Sequence, residues 1–245
     1  MAAPEHIEYC KRCQSKLTGD YCSNCGHPKE LQRIDHQYVL TEIGSILNFD
    51  KGILFTMREL LLRPGISIRA FLREDRNRLV KPIIFLIITS LIFSISIQLT
   101  GVEDGYINFN SYDWEDSVLV IIFQWISKNY GYTNILVAVF IALWIKILFR
   151  KYAYNFYEIF ILLIFIMGMV MLFYTFFGII TGLTHIKILQ IGVDIAFLYS
   201  AWAIGQFFDP SKKINYLKAL ISYILGFISF IVTTLIVGII IDLFI

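Results

Sequence analysis

Long apolar runs constrain this chain more than any other feature. A membrane-spanning helix needs about 20 apolar residues, with a range of about 17–25, and five stretches after residue 81 meet or approach that length. Hydrophobic residues make up 57% of the chain and charged residues only 16%, against about 25% charged in an average soluble domain. The sequence therefore predicts an all-α integral membrane protein with about five transmembrane helices, spanning 82–100, 134–149, 156–181, 185–208 and 217–241.

A sixth apolar run, Val118 to Ile126, is too short to cross a bilayer as a helix. Trp114 and Trp125 flank or lie within it, and tryptophan is enriched at membrane–water interfaces. We therefore expect an interfacial or re-entrant segment here, and both alternatives stay open.

The positive charges next to the spans alternate from one crossing to the next. Basic residues precede the first span and lie between the second and third and between the fourth and fifth, whereas the 101–133 loop holds only Lys128 and five acidic residues. Short cytoplasmic loops carry the excess of Lys and Arg. The pattern predicts five crossings by residues 82–245, with the N-terminus in the cytoplasm and the C-terminus outside. Residues 1–10 contain no apolar stretch, so we expect no cleavable signal peptide.

All four cysteines lie near the start of the chain, in two C-x-x-C pairs that are separated by eight residues. Each pair can turn tightly enough for both thiolates to face one ion, and four thiolates in a tetrahedron form a closed structural zinc site. A cytoplasmic location would keep these thiols reduced. The sequence predicts a cytoplasmic zinc ribbon over residues 1–30, with Zn²⁺ as a structural cofactor. The predicted ligands are Cys10, Cys13, Cys22 and Cys25.

Two alternatives to zinc stay open, namely iron in the same geometry and a redox-active dithiol. A redox C-x-x-C usually opens a helix in a βαβ unit, and this context is absent. We expect Gly26 to adopt a left-handed or tight turn after the second pair, and His27 to be a surface residue because four cysteines already fill the site. Residues 1–30 carry four basic and four acidic side chains, which argues against nucleic acid as a partner.

The segment between ribbon and spans, 31–81, forms a predicted amphipathic basic connector. Apolar residues recur at helical spacing over 38–62, the Arg63-Pro64-Gly65 turn follows, and a second short helix is expected from Ser67 to about Leu79. The connector could lie on an anionic cytoplasmic leaflet, or its charges could serve only as the positive-inside signal, without a specific lipid. The candidate headgroup contacts are Arg69, Arg73, Arg76, Arg78 and Lys81.

One family resemblance rests on residues 10–95. Phe49-Asp50-Lys51-Gly52, Arg63-Pro64-Gly65, Ile68-Arg69, Arg76 and Lys81-Pro82 follow the Tyr21-Cys22-Ser23-Asn24-Cys25-Gly26 string. This order resembles an uncharacterised bacterial family of zinc-ribbon, multi-pass membrane proteins, classified as a domain of unknown function. His27 stands where that family would have a glutamine. The resemblance implies a bacterial inner-membrane location and the same architecture, but it implies no activity.

Asp194 and Gln206 form a candidate polar site within the fourth span. An ionisable residue inside a span is a functional hypothesis by default, although a packing contact or a water-reached carboxylate is the simpler explanation of Asp194. The chain lacks the P-loop, zinc-protease and nucleophile-elbow motifs, so we predict no catalytic residues and no enzyme. The leading hypothesis is a membrane-anchored scaffold or interaction subunit whose ribbon docks a protein partner. The alternative is a small transporter or channel using Asp194, and a membrane-embedded lipid enzyme has least support.

Overall fold

A computed structural model of the chain describes residues 9–10, 13–17, 19–26, 29, 52–101, 118–186 and 188–244. The chain divides into two compact units, 1–46 and 47–245. In the second unit the helices are α1 (Ile53–Leu62), α2 (Pro64–Arg73), α3 (Pro82–Thr100), α4 (Val118–Lys128), α5 (Tyr130–Leu148), α6 (Phe156–Thr184), α7 (Leu189–Phe208) and α8 (Lys213–Phe244). The first part of the predicted connector, 31–51, lies outside the described residues.

Five helices are long and apolar enough to cross a membrane, namely α3, α5, α6, α7 and α8. The described residues contain no β-strand; Tyr9 and Lys16 form an isolated antiparallel bridge. The predicted all-α class with five candidate spans is therefore confirmed. Helical structure follows from the composition, because a bilayer offers backbone N–H and C=O groups no water, and a helix pairs them within the segment.

Several predicted boundaries were wrong, and local capping explains two of them. The fourth span does not begin at 185, because His185 ends α6 in a left-handed conformation (φ 57°) and α7 begins only at Leu189. The second connector helix begins at Pro64 rather than Ser67, since proline fits the first helical position, where no N–H partner is needed. It ends at Arg73, well before Leu79. The last span is also longer than predicted, by about a turn at each end.

The short helix α4 and the following helix α5 form one path along α8. The Val118 N–H donates to Asp242 Oδ1 (2.9 Å), and Leu119 lies against Gly238. Closer to the N-terminus of α8, its neighbours are residues of α5. At the far end the Lys218 ammonium donates to the Leu148 carbonyl (3.4 Å). The order of neighbours shows that residues 118–148 run along α8 in one direction, with a break at Asn129.

The longest buried surface belongs to α6, which packs against α3, α5 and α7. Its N-terminus carries a capping box, in which the Asn155 side chain accepts from the Glu158 N–H and the Glu158 carboxylate accepts from the Asn155 N–H. This reciprocal pairing satisfies two of the donors that every helix start leaves open. Most of the apolar part of α6 that could cross a membrane is buried inside the bundle, whereas most of the corresponding part of α8 is not buried.

The basic flanks of the spans meet at one end of this helical unit, which we call the basic end. Phe149, after α5, stacks on Phe208 at the end of α7, with ring centroids 4.0 Å apart. The Tyr154 ring, before α6, packs on Phe207 and lies under the guanidinium of Arg73. The flanking cations of this end include Arg73, Lys146, Arg150, Lys151, Lys212, Lys213 and Lys218.

Candidate metal centre

The four cysteine sulfurs lie together in the first compact unit. All four Sγ atoms are within 4.8 Å of one another, with Cys10 Sγ 3.6 Å from Cys25 Sγ and Cys13 Sγ 3.5 Å from Cys22 Sγ. Each close pair joins one knuckle to the other. The two C-x-x-C turns therefore face a common centre, as their spacing predicted.

The two knuckles share one backbone geometry. The Gln14 N–H donates to the Cys10 carbonyl (2.9 Å), and the Gly26 N–H donates to the Cys22 carbonyl (2.8 Å), each four residues after the first cysteine of its knuckle. Gln14 has φ 60° and Gly26 has φ 69°. The left-handed turn predicted for Gly26 is confirmed. The same turn at Gln14 was missed, although it stands at the equivalent position of the first knuckle.

The arrangement fits a single tetrahedral ion. Metal–sulfur bonds of about 2.3 Å in a tetrahedron place the sulfurs about 3.8 Å apart, close to the 3.5 Å and 3.6 Å found here. The sulfurs are too far apart for disulfides, and none of the four cysteines is in a disulfide bond. Among the described residues, these four cysteines are the one group of three or more His, Cys, Asp or Glu side chains that could hold an ion.

The surroundings favour the thiolate form of Cys13. The side chain and backbone of Ser15 hydrogen-bond the Cys13 sulfur, the neighbouring Cys25 and Cys22 sulfurs add to this effect, and together they lower the pKa of Cys13 to about 5. The Asn24 amide donates to Ser15 Oγ (3.1 Å), which ties this hydroxyl to the second knuckle. A thiolate is the form of cysteine that binds metal, so the polar shell suits a metal ligand.

The structure does not bring Asp194 and Gln206 together. Both lie on α7, twelve residues or about 18 Å apart along the axis. Asp194 is exposed, and its carboxylate accepts from the Gln190 amide (3.3 Å). Gln206 lies at the basic end, where its side-chain oxygen accepts from the Gly65 N–H (3.3 Å). The two residues predicted as one polar site within the fourth span therefore make two separate contacts, Asp194 with Gln190 and Gln206 with Gly65.

Three of the five candidate headgroup residues contact protein groups instead. The Arg69 guanidinium donates to the carbonyls of Gln206 and Phe207 at the C-terminus of α7, the second at 2.7 Å. Arg78 pairs with Glu59 (3.3 Å), and Arg73 covers the Tyr154 ring as described above. Arg76 and Lys81 are exposed, and their side chains have no hydrogen-bond or ion-pair partner in the described part of the chain.

Glu59 is a functional group that the sequence interpretation missed. Its carboxylate is only 4% exposed, yet it accepts hydrogen bonds from Arg63 (2.6 Å), Ser67 (2.9 Å) and Arg78. Burial raises the pKa of Glu59, but the hydrogen bonds from Arg63 and Ser67 and the two arginine charges outweigh burial, so the pKa lies below its ordinary value. The sequence signal was the i,i+4 spacing of Glu59 and Arg63 on one helix.

Comparison with known proteins adds one match. A family model described as "Protein of unknown function (DUF3667)" matches residues 50–94. No curated protein and no solved structure matches the chain significantly. The matched segment covers α1, α2 and the first two thirds of α3, and it includes Glu59, Gly65 and Arg69.

Within the matched segment, α2 packs closely against α7. A Cβ atom on Gly65 would lie 2.6 Å from the Gln206 carbonyl oxygen and from the Phe207 nitrogen, so only glycine lets α2 approach the end of α7 this closely. The Arg63-Pro64-Gly65 string thus ends α1, starts α2 and allows the contact with α7.

Proposed function

We propose that this protein is a membrane-anchored interaction subunit of the bacterial inner membrane, whose cytoplasmic zinc ribbon docks a protein partner. The single observation that carries the proposal is a complete four-thiolate centre in a compact unit that is distinct from the helical unit. The remaining arguments concern the identity of the metal, the docking surface and the side of the membrane.

A structural zinc ion suits the ribbon for two reasons. Four thiolates in a tetrahedron leave no open coordination position for a substrate, and the part of the ribbon that the structure describes has almost no apolar core. Among its described residues only Cys10 and Cys22 are buried. Units below about 40 residues usually need a metal, disulfides or a partner to fold, so the ion would replace the missing core. Iron fits the same sulfur set, and metal analysis of the purified protein separates the two.

Two exposed tyrosines supply the docking surface in this proposal. Tyr9 and Tyr21 each precede the first cysteine of a knuckle and are 58% and 68% exposed. Tyrosine is enriched among the residues that contribute most to protein–protein binding. A metal-locked unit that presents two rigid aromatic side chains is suited to binding a protein.

The basic end supports the proposed orientation. Positive flanks from four of the five spans meet there, and short cytoplasmic loops carry such an excess. We place this end and the ribbon in the cytoplasm and the C-terminus outside. The separation of Asp194 from Gln206 leaves the transporter alternative without a shared polar site in the described helices.

The test is affinity purification of the full chain in mild detergent, with the wild type and three variants compared at equal expression. We expect a stoichiometric partner with the wild type and its loss with Cys22→Ser, which breaks the centre, and with Tyr9→Ala/Tyr21→Ala, which leaves the ligands intact. Tyr157→Ala removes an equally exposed tyrosine at the start of α6 and should retain the partner. Recovery of the same proteins with Cys22→Ser would show that the ribbon is not the docking element.

A further inference from the structure

The junction of α1 and α2 exposes three large apolar side chains that no described element covers. Leu61, Leu62 and Ile66 are 49%, 61% and 55% exposed, and we call them the apolar corner. Their immediate neighbours Leu60 and Ile68 are completely buried, so the corner is the outer side of a well-packed junction and not a frayed end.

Hydrogen bonds show how far along the bundle the corner lies. The buried Tyr199 hydroxyl donates to the Leu60 carbonyl (2.9 Å), and Tyr199 lies nine residues, or about 13 Å along the axis, from the Phe208 end of α7. Gly65 and Arg69 contact the last residues of the same helix. The corner therefore lies beside the half of α7 next to the basic end and not beyond the end of the span.

Aromatic contacts on the other side of the hairpin give the same level. Phe71 on α2 packs edge-on against Phe165, with ring centroids 5.2 Å apart, and Phe165 also contacts Phe85 in the first turn of α3. Phe165 lies nine residues into α6. Helices α1 and α2 thus run alongside apolar portions of two candidate spans, α6 and α7.

The exposed arginines Arg58 and Arg63 flank the corner and can extend toward the headgroups, whereas the buried polar side chains of the hairpin are paired within the protein. The Glu59 carboxylate is buried under Arg63, Ser67 and Arg78, and the Thr56 hydroxyl donates to the Gly52 carbonyl and accepts from the Val80 N–H. Unpaired polar groups are costly in an apolar solvent, and these groups are paired within the protein. The neighbouring helix α7 also exposes apolar surface, since Leu198, next to Tyr199, is 62% exposed.

We propose that the apolar corner inserts among the phospholipid acyl chains of the leaflet at the basic end. Helices α1 and α2 then form a half-embedded hairpin beside the spans, and not helices that lie flat on the headgroups. An apolar face buried about 5–10 Å into the boundary of headgroups and acyl chains is the usual depth of an interfacial helix. The occupant is lipid because the corner lies beside α7, a helix long and apolar enough to span a membrane.

The test places a photo-crosslinking amino acid at single positions of the full-length protein in native membranes and identifies adducts by mass spectrometry. Position Leu62 tests the corner, and Ile66 is a second position should the Leu62 variant fail to assemble. Ile83, an exposed residue in the first turn of α3, is the positive control. Asn77, exposed and polar in the turn before α3, is the matched control outside the proposed apolar layer.

We expect phospholipid-mass adducts at Leu62 and Ile83, at yields at least tenfold above Asn77. Adducts between Leu62 and another protein, or between Leu62 and residues 1–51 of the same chain, would overturn the proposal. Equal lipid yields at Leu62 and Asn77 would also overturn it, as would the absence of adducts at both Leu62 and Ile66 in a sample where Ile83 reacts.

Discussion

At the scale of single residues, the two halves of the metal centre share a left-handed turn but differ in the residue type that forms it. Gln14 and Gly26 both have positive φ and close equivalent turns, but a side chain in the left-handed region costs about 1–2 kcal/mol. The first knuckle therefore carries a strain that the second avoids.

Replacing Gln14 with glycine should relieve this strain. We expect Gln14→Gly to stabilise the metal-loaded ribbon by about 1 kcal/mol, which would appear as an approximately fivefold lower zinc dissociation constant in a chelator competition. Gly26→Ala should have the opposite effect. Gly19→Ala is the control, because a Cβ there meets nothing within 4 Å and φ is not positive. A gain from Gly19→Ala equal to that from Gln14→Gly would contradict the strain argument.

Glu59 should make the stability of the helical unit depend on pH. Because its pKa is lower in the folded state than in the unfolded chain, its contribution is complete above the unfolded pKa of about 4.3 and is lost as the pH falls through the folded pKa. We expect the wild type to lose thermal stability as the pH falls from about 5 to about 3.

The comparison that isolates this effect is Glu59→Gln, measured by thermal unfolding in detergent across the same pH range. The variant should be less stable at pH 7, because Arg63 and Arg78 lose their ionic partner, and its stability should fall less on acidification. Parallel curves for the two proteins would mean that another group is responsible for the acid sensitivity.

At the scale of elements, one arginine and one glycine hold the connector against the bundle. Arg69 pairs with carbonyls that the C-terminus of α7 leaves without partners inside the helix, and its positive charge suits the negative end of the helix dipole. Gly65 permits the close approach of the two helices. A basic residue that looked like a lipid contact in the sequence is thus a helix cap in the structure.

Removing this cap should loosen the hairpin. We expect Arg69→Ala to destabilise the helical unit by about 2 kcal/mol, the usual range for hydrogen bonds that involve a charged group, measured as a lower unfolding temperature and faster proteolysis within 52–81. Arg76→Ala on the same segment removes an exposed arginine without a described partner and should change stability by less than about 0.5 kcal/mol. Equal losses for both variants would assign the effect to net charge.

At the scale of the whole molecule, the alternation of basic flanks becomes a spatial feature, because the flanks of separate spans meet at one end. The residues that bring them together are aromatic, with Phe149 stacked on Phe208 and Tyr154 on Phe207. The side-chain amide of Asn215 also donates to the Tyr152 hydroxyl (2.7 Å). This bond connects the first turn of α8 to the segment that precedes α6.

The proposed orientation predicts which end is accessible from outside the cell. With a membrane-impermeant maleimide on right-side-out spheroplasts, we expect labelling of Thr184→Cys at the end of α6 and no labelling of Ser211→Cys between α7 and α8. The wild type is a control that also reports on the ribbon, whose four cysteines should stay unlabelled until the membrane is opened. Labelling of Ser211→Cys but not Thr184→Cys would reverse the topology.

Local physics explains how much could be predicted from the sequence. An apolar run of about 20 residues has few alternatives to a spanning helix, so all five candidate spans were predicted. The metal ligands were equally accessible, since two C-x-x-C turns at this spacing can face one ion whatever surrounds them. The left-handed turn at Gly26 followed from the residue type alone.

Tertiary contacts decided everything that depends on residues far apart in the chain. The environment of Glu59 involves Arg78, nineteen residues away, and that of Arg69 involves carbonyls more than 130 residues away, so neither pairing has a local signal. The start of α7 depended on the local turn at His185. The alignment of α4 with α5 depended on α8, which both helices contact. The sequence determined which segments are long and apolar enough to span a membrane and which side chains can hold a metal, because solvent and ligand chemistry act locally. Only the packed structure decided the level of α1 and α2 beside the spans, because that level is set by where Tyr199, Phe165 and Gln206 meet the hairpin.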